Sequence, residues 1–493
     1  MKTLEPRFLR TSPQRQAAAD RASAERELGK QKFELSDYLL LTGVVLVPFV
    51  SPIPGKFDPT PSGWTERVTL CDAFFILAML LAGWSRLQQN WSDWMRGGAK
   101  FAPLVKRATN RVWALPPYSP IWFGTCALLA VMTLSWFANP LQPINSHMIV
   151  ALVVQIYLAT VGVMIASAVC RYGSPAPILA AWVIGFLMLA VICTYDSAAL
   201  LTHRTMLYEG ADARLRGPFR TGSQMAAYSL TSFFVVLGAA KFMAEKRWVR
   251  VAAAIACVAP MFIILASRRS AFVSLLAGFI ALLVISKNRL QIFIGTVVPV
   301  VLLVVGLFLF APQDFRQYAL TRVKALTGDD TDRVNVAVDH FGRGLAAFKE
   351  HPVLGVGFGA FSDTRFGELT ESIKHEQHSG YVAILAETGA VGFGLMLCLH
   401  LLVLYQLIRV WRSSQGRYRE LALYLVVVLV ALGVSEVYNR IWRERAMWII
   451  VGLIAALPYV SMRDQLREKM VRMKSRFHWN GLAQGSSPPR GIV

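Results

Sequence analysis

Twelve long apolar runs punctuate the chain, and they exclude most folds before any motif is considered. They cover approximately residues 37–53, 69–86, 120–138, 147–170, 176–195, 224–244, 248–266, 270–286, 290–310, 389–410, 420–436 and 446–461. Each is roughly 17–25 residues, the length a helix needs to cross about 30 Å of hydrocarbon. A backbone amide cannot stay unpaired in lipid, and long uniform runs lack the alternation of a barrel strand, so these runs predict helices. The expected class is all-α: a polytopic membrane helical bundle with about 12 transmembrane helices. Composition agrees, with 55% hydrophobic and 16% charged residues where an ordinary soluble domain carries about 25% charged.

Lys and Arg number 51 against 30 Asp and Glu, a formal net charge of +21. In a soluble protein this would suggest nucleic acid. Here the cations lie between the apolar runs, so the expected partner is the lipid bilayer and not nucleic acid. Arg7, Arg10, Arg15, Arg21, Arg26 and Lys30 precede the first run, and Arg463, Arg467, Lys469, Arg472, Lys474 and Arg476 follow the last. Counting such segments as cytoplasmic, and crossing twelve times, divides the chain as follows. Residues 1–36 form a cytoplasmic basic N-terminal tail without the apolar core of a signal peptide. Residues 37–310 form transmembrane helices 1–9, 311–388 a large external loop, and 389–461 helices 10–12. Residues 462–493 form a cytoplasmic basic tail, read as an amphipathic helix followed by a disordered Gly/Ser/Pro stretch.

Three external segments break the charge rule with arginine. Residues 196–223 carry Arg204, Arg214, Arg216 and Arg220; a tight turn carries Arg268 and Arg269; the last external turn carries Arg440, Arg443 and Arg445. Positive charge on that side opposes topology, and arginine's planar fork matches phosphate oxygens. The arrangement predicts a diphosphate site at the outer membrane–water boundary. The bland alternative is pairing with carboxylates such as Glu209, Asp212, Glu436 and Glu444.

The long loop holds the remaining chemistry. Gly355, Gly357 and Gly359 have phosphate-loop spacing, but no strand–helix unit surrounds them and no Gly-Lys-Ser/Thr follows. Such glycines permit a tight loop to lie against the bundle or against a substrate. His378 precedes the amphipathic stretch Tyr381–Leu385, on the arginine side, where histidine is suited to accept a proton near neutral pH. His351 and His375 are competitors; His375, between Lys374 and Glu376, reads as solvated. No metal-ligand spacing and no cofactor motif is present, so neither is expected. The six cysteines, Cys71, Cys126, Cys170, Cys193, Cys257 and Cys398, sit in or beside apolar runs and read as core packing.

The run Pro352–Phe361, then His378-Ser379-Gly380-Tyr381 and Ala386-Glu387-Thr388-Gly389, resembles the O-antigen ligase and O-antigen polymerase superfamily. Arg214-Leu215-Arg216-Gly217-Pro218-Phe219 is similar to its Arg-x-x-Gly-x-Phe element, and Ala266-Ser267-Arg268 to its Ser-Arg turn. The resemblance covers roughly residues 210–410. It departs at Ser379, where the family often has Asn. It implies a bacterial inner-membrane glycosyltransferase with both termini cytoplasmic and residues 311–388 periplasmic. The donor would be a glycan on undecaprenyl diphosphate, and the acceptor a glycan or lipid A–core. By resemblance His378 is the base, Arg214 and Arg268 grip the diphosphate, and Arg216, Arg220 and Arg269 are near alternatives. Ligase and polymerase need the same donor site, so these residues do not separate them.

Two rivals come from other classes. A transporter or flippase of lipid-linked sugars predicts charges near the membrane midplane and matching broken halves. The middles of the runs are nearly free of acids, and no halves are evident. A sugar receptor without chemistry would not require a histidine beside arginine forks.

Overall fold

A computed structural model describes residues 33–48, 69–95, 119–137, 144–199, 208–209, 214–215, 218–219, 222–266, 268–286, 289–310, 331–370, 373–374 and 379–484, with 313, 316–317 and 320. Its helices are α1 (Leu35–Val45), α2 (Leu70–Met95), α3 (Pro120–Leu134), α4 (Ser146–Tyr172), α5 (Ala176–Ala199) and α6 (Gly222–Phe242). Then come α7 (Arg247–Ala256), α8 (Ala259–Leu265), α9 (Arg269–Ile285), α10 (Arg289–Ile292), α11 (Val298–Phe310) and α12 (Thr331–Glu350). The last three are α13 (Gly380–Ser413), α14 (Arg417–Glu436) and α15 (Arg445–Gln484). Two antiparallel hairpins, β1 (Tyr208–Glu209) with β2 (Arg214–Leu215) and β3 (Glu368–Thr370) with β4 (Ile373–Lys374), lie outside the bundle's spans.

Among the described residues eight helical stretches are long and apolar enough to cross a membrane, one of them α7 and α8 taken together (Arg247–Leu265). Four shorter apolar helices, Leu35–Val45, Cys71–Ser85, Arg269–Ile285 and Arg289–Leu302, occupy the other positions where the sequence predicts spans. The protein is an all-α polytopic membrane bundle. Large side chains such as Leu80, Phe123, Val191 and Val284 are exposed, as lipid-facing positions should be.

Prolines shape two spans. The predicted run 248–266 divides into α7 and α8, because Pro260 lacks the N–H that would continue the ladder and its ring would crowd the carbonyl four residues back. Upstream of Pro299, a π-helical turn at Phe293–Val297 joins α10 to α11. At the C-terminus α15 runs unbroken through residue 462 to Gln484, with Pro458 inside it, so no break separates span from tail. Cys126 and Cys398 are exposed, which removes them from the predicted core packing; Cys71, Cys170, Cys193 and Cys257 are buried.

The ends of the helices sort into two groups. At one end Arg171 is ion-paired with Asp37, Gly173 packs against Arg463, and Arg417 bonds Asp464 at 2.7 Å. This joins the start of α1, the end of α4, the start of α14 and the middle of α15. At the other end lie the starts of α4, α6, α9, α13 and α15, linked by the contacts described below.

The long loop is part of the bundle. Helix α13 begins at Gly380, inside the segment 311–388 that the sequence reads as loop, and is broken at Gly389, where φ is 65° and ψ −165°. Only glycine adopts that backbone readily. The break frees backbone groups, and residues 352–357 satisfy them. Val356 N donates to Ala386 O (2.9 Å) and Gly357 N to Glu387 O (3.0 Å), while Ala390 N donates to Pro352 O (2.8 Å) and Val391 N to Val353 O (3.3 Å). Ala347, Val356, Phe361 and Ala386 form a small apolar cluster under this crossover.

Candidate functional site

The glycine run is held on three sides. Phe358 N donates to Ser135 Oγ (2.9 Å), and Trp136 Nε1 donates to Phe358 O (3.0 Å). Asn145 caps α4 by accepting from Met148 N and bonds Asp363 through Nδ2 at 2.7 Å. Gly355, Gly357 and Gly359 have φ of 70°, 109° and 78°. At Gly355 a Cβ would meet the backbone of Ala386–Thr388, and at Gly359 it would lie 2.8 Å from the Ala151 Cβ. Gly355 therefore lies against the bundle, whereas Gly359 lies at the edge of a recess.

That recess is organised by Glu387, which is 2% exposed. Its Oε2 accepts from Gly359 N at 3.1 Å, and its Oε1 accepts from Arg440 Nη2 at 3.1 Å. Arg443 stands beside it, its guanidinium 5.9 Å from the Phe358 ring centre. His147 and Ser362 line the same recess, and Trp442 and Gly380 line a second small cavity that shares Glu387, Arg440 and Arg443 with it.

The turn Arg440–Arg445 is fixed from both sides. Glu436 accepts from the amides of Ile441 and Trp442, and its Oε1 lies against Gly380. Only a residue without a side chain fits there, so the Ser-Gly step at the start of α13 has a packing reason. Ser379 caps α13, its Oγ accepting from Val382 N at 3.4 Å. Arg445 is gripped by Asp72, whose Oδ1 also accepts from Tyr157 OH (2.6 Å) and whose Oδ2 accepts from Thr69 N (2.7 Å). Glu444 accepts weakly from Gln224 at 3.4 Å; burial pushes its carboxyl up, against the opposing pull of Arg445.

The predicted arginines are distributed as follows. Arg268 occupies the N-cap position of α9 and Arg269 is its first residue. A side chain at Gly222 would come within 3.6 Å of Arg268 Nε and 3.2 Å of Leu215 O, so β2, the start of α6 and Arg268 share one place. Arg214 stands in β2 opposite Glu209. Asn439 Nδ2 bonds Ser270 Oγ at 3.1 Å, which ties that place to the Arg440 turn. Helix N-termini gather here, and their positive dipole ends favour anions. Arg216, Arg220 and His378 lie outside the described residues, as does His375. His351 ends α12's last turn, its N bonded to Ala347 O at 3.0 Å and its carbonyl to Gly355 N at 3.0 Å.

Carboxylate pairing does claim two arginines of the last turn, but the partners are Glu387 and Asp72, neither among the acids that sequence proximity suggested. Both acids are far from their arginines in sequence. A signal existed for each: an acid near the end of an otherwise apolar run needs a buried partner.

Comparison with known proteins adds one decisive observation. Residues 252–397 match the family described as O-antigen ligase. Over that stretch the chain is similar to the O-antigen ligase family. The O-antigen ligase match spans α8, α9, the glycine run and the first half of α13, so it includes Arg268, Arg269, Glu387 and the helix break. It supports a glycosyltransferase of the ligase or polymerase type. No curated protein matches the chain.

Proposed function

We propose that the protein transfers a glycan from undecaprenyl diphosphate to an acceptor hydroxyl during surface-polysaccharide synthesis, in the bacterial inner membrane with both termini cytoplasmic. The acceptor hydroxyl oxygen attacks the anomeric carbon, the bond from that carbon to the diphosphate oxygen breaks, and polyprenyl diphosphate leaves. His378 takes the hydroxyl proton. Arg214 and Arg268, with Arg216, Arg220 and Arg269 as near alternatives, stabilise the charge growing on the leaving diphosphate. A positioned base contributes roughly 100- to 10,000-fold in rate, and fixed cations aimed at developing charge contribute as much or more.

The observation that carries this reading is the family match over residues 252–397, which contains His378, Arg268 and the glycine run. The convergence of helix N-termini with Arg268 and Arg269 supports an anionic ligand at that end. The test uses purified protein and lipid-linked glycan. His378→Ala should lower transfer by on the order of 100-fold or more while donor binding holds, because the lost interaction belongs to the transition state. His375→Ala is the control and should be nearly neutral. Near-normal transfer by His378→Ala would sink the catalytic assignment. Cells lacking the protein assign the acceptor: single lipid-linked repeats accumulate if it polymerises, long chains if it ligates.

A further inference from the structure

The donor in the proposed reaction is an amphiphile, and the arginines account only for its head. We propose that the outward face of α9 is the track for the polyprenyl chain, and that it carries the isoprene units nearest the diphosphate down from Arg268 through the outer leaflet. The inference rests on the proposed transfer reaction and adds a place for the lipid half of the donor.

Three observations carry it. First, α9 has two unlike faces. Ala271, Ser274, Leu275, Gly278 and Leu282 are buried, and a Cβ on Gly278 would meet the Phe234 ring of α6 and the Ala431 Cβ of α14. On the other side Val273, Leu276, Ile280 and Val284 are exposed. They recur every three or four residues, so they form one stripe.

Second, the stripe starts at the arginines. Arg268 is the N-cap of α9 and Arg269 its first residue. One turn on, Phe272 N donates to Arg268 O at 3.3 Å, and the Phe272 ring is exposed beside Val273. From Val273 to Val284 the stripe covers about 16 Å at the usual helical rise, roughly half of a hydrocarbon core of about 30 Å. A polyprenyl diphosphate is a single chain with its phosphates at one end, which suits one stripe below a pair of arginines.

Third, the neighbours of Arg268 offer no such face. A Cβ on Gly222 would lie 3.6 Å from Arg268 Nε, 3.2 Å from Leu215 O and 3.7 Å from Ala266 O, so β2, the start of α6 and the end of α8 meet α9 there. Leu215 is fully buried. Helix α6 has no exposed residue from Gly222 to Val236, and every residue of α8 is buried. A prenyl chain must stay in hydrocarbon, because wetting it is unfavourable in proportion to its area. From a diphosphate at Arg268 the chain can therefore leave along α9, and not along β2, α6 or α8.

The test places photoreactive benzoylphenylalanine at Leu276 or Ile280, with Val191, an exposed residue of α5, as the control. Having two stripe positions keeps the test readable if one variant fails to fold. The full-length protein is reconstituted in vesicles of phosphatidylethanolamine and phosphatidylglycerol that contain radiolabelled undecaprenyl diphosphate. Labelling at Leu276 and Ile280 should exceed that at Val191 by at least about 10-fold. Excess unlabelled undecaprenyl diphosphate should abolish it, and excess phosphatidylglycerol should not. Equal labelling at all three positions would mean ordinary boundary lipid and overturn the track. A protein–protein adduct in place of the lipid adduct would give the stripe to a second copy of the chain, and overturn it too. Binding of inorganic diphosphate to the same protein separates this inference from the transfer reading. Diphosphate binding that Arg268→Lys weakens, without excess labelling of the stripe, sinks the track alone. Strong stripe labelling without diphosphate binding leaves the track standing and removes the arginine head site. Absence of both sinks both.

Discussion

Gly389→Ala tests the crossover on which the candidate site is built. The native backbone at this position has φ 65° and ψ −165°, a conformation that costs a residue with a side chain roughly 1–3 kcal/mol. The added Cβ would also run into the Val353 carbonyl and approach Leu354 N at 2.6 Å. These are backbone atoms, so no side chain can swing aside, and overpacking of this kind costs about 1–3 kcal/mol. Relief requires residues 352–354 to move, which stretches the bonds from Ala390 N to Pro352 O and from Val391 N to Val353 O, each worth about 0.5–1.5 kcal/mol net. The sum is on the order of 3–9 kcal/mol, against a usual total stability of about 5–15 kcal/mol. Thermal unfolding in detergent, with limited proteolysis of the loop, reads the effect. Gly394→Ala is the internal control: it lies on the same helix with open space around its Cα, and should be neutral or stabilising by up to about 1 kcal/mol. A Gly389→Ala protein that melts with wild type would refute the claim that the loop is locked against a helix break.

Four further outcomes follow from the same contacts. Gly380→Ala should lower stability or glycan transfer sharply, because its methyl would collide with Oε1 and Cδ of the buried Glu436, whose carboxylate accepts from the Ile441 and Trp442 amides; a folded, fully active variant would show that the turn Arg440–Arg445 need not sit there. Asp72→Ala should destabilise by about 3–5 kcal/mol, since it strands the Arg445 charge, and the loss should shrink when Arg445→Met is added; equal losses in single and double variants would deny the coupling. Glu444→Gln should flatten the pH dependence of unfolding: a raised carboxyl binds its proton more tightly when folded, so native stability falls as pH rises from the ordinary carboxylate range through the raised value, and the amide removes that slope. An unchanged slope in Tm against pH would count against it. Arg268→Lys should impair transfer at normal protein level, because an ammonium cannot present a bidentate fork; wild-type rates would make Arg268 a structural residue.

The sequence alone determined the membrane class and the places of the spans, because hydrophobic length is a local property. A run of apolar residues must be a helix in lipid wherever it lies in the bundle. Sequence also marked the glycines at 355, 357 and 359 as unusual, and the arginines of the external segments as out of place. It could not say which carboxylate answers which arginine. Glu387 meets Arg440 and Asp72 meets Arg445 only after the helices pack, across separations that no periodicity encodes. The start of α13 was hidden for a related reason. Glu387 and Thr388 make residues 380–388 look like loop, yet Glu387 is buried by its pair and Thr388 bonds back to Ile384 O at 2.7 Å. Tertiary structure also decided that the glycine run serves a helix break, since backbone groups freed at Gly389 can be satisfied only by a segment brought in from elsewhere in the chain.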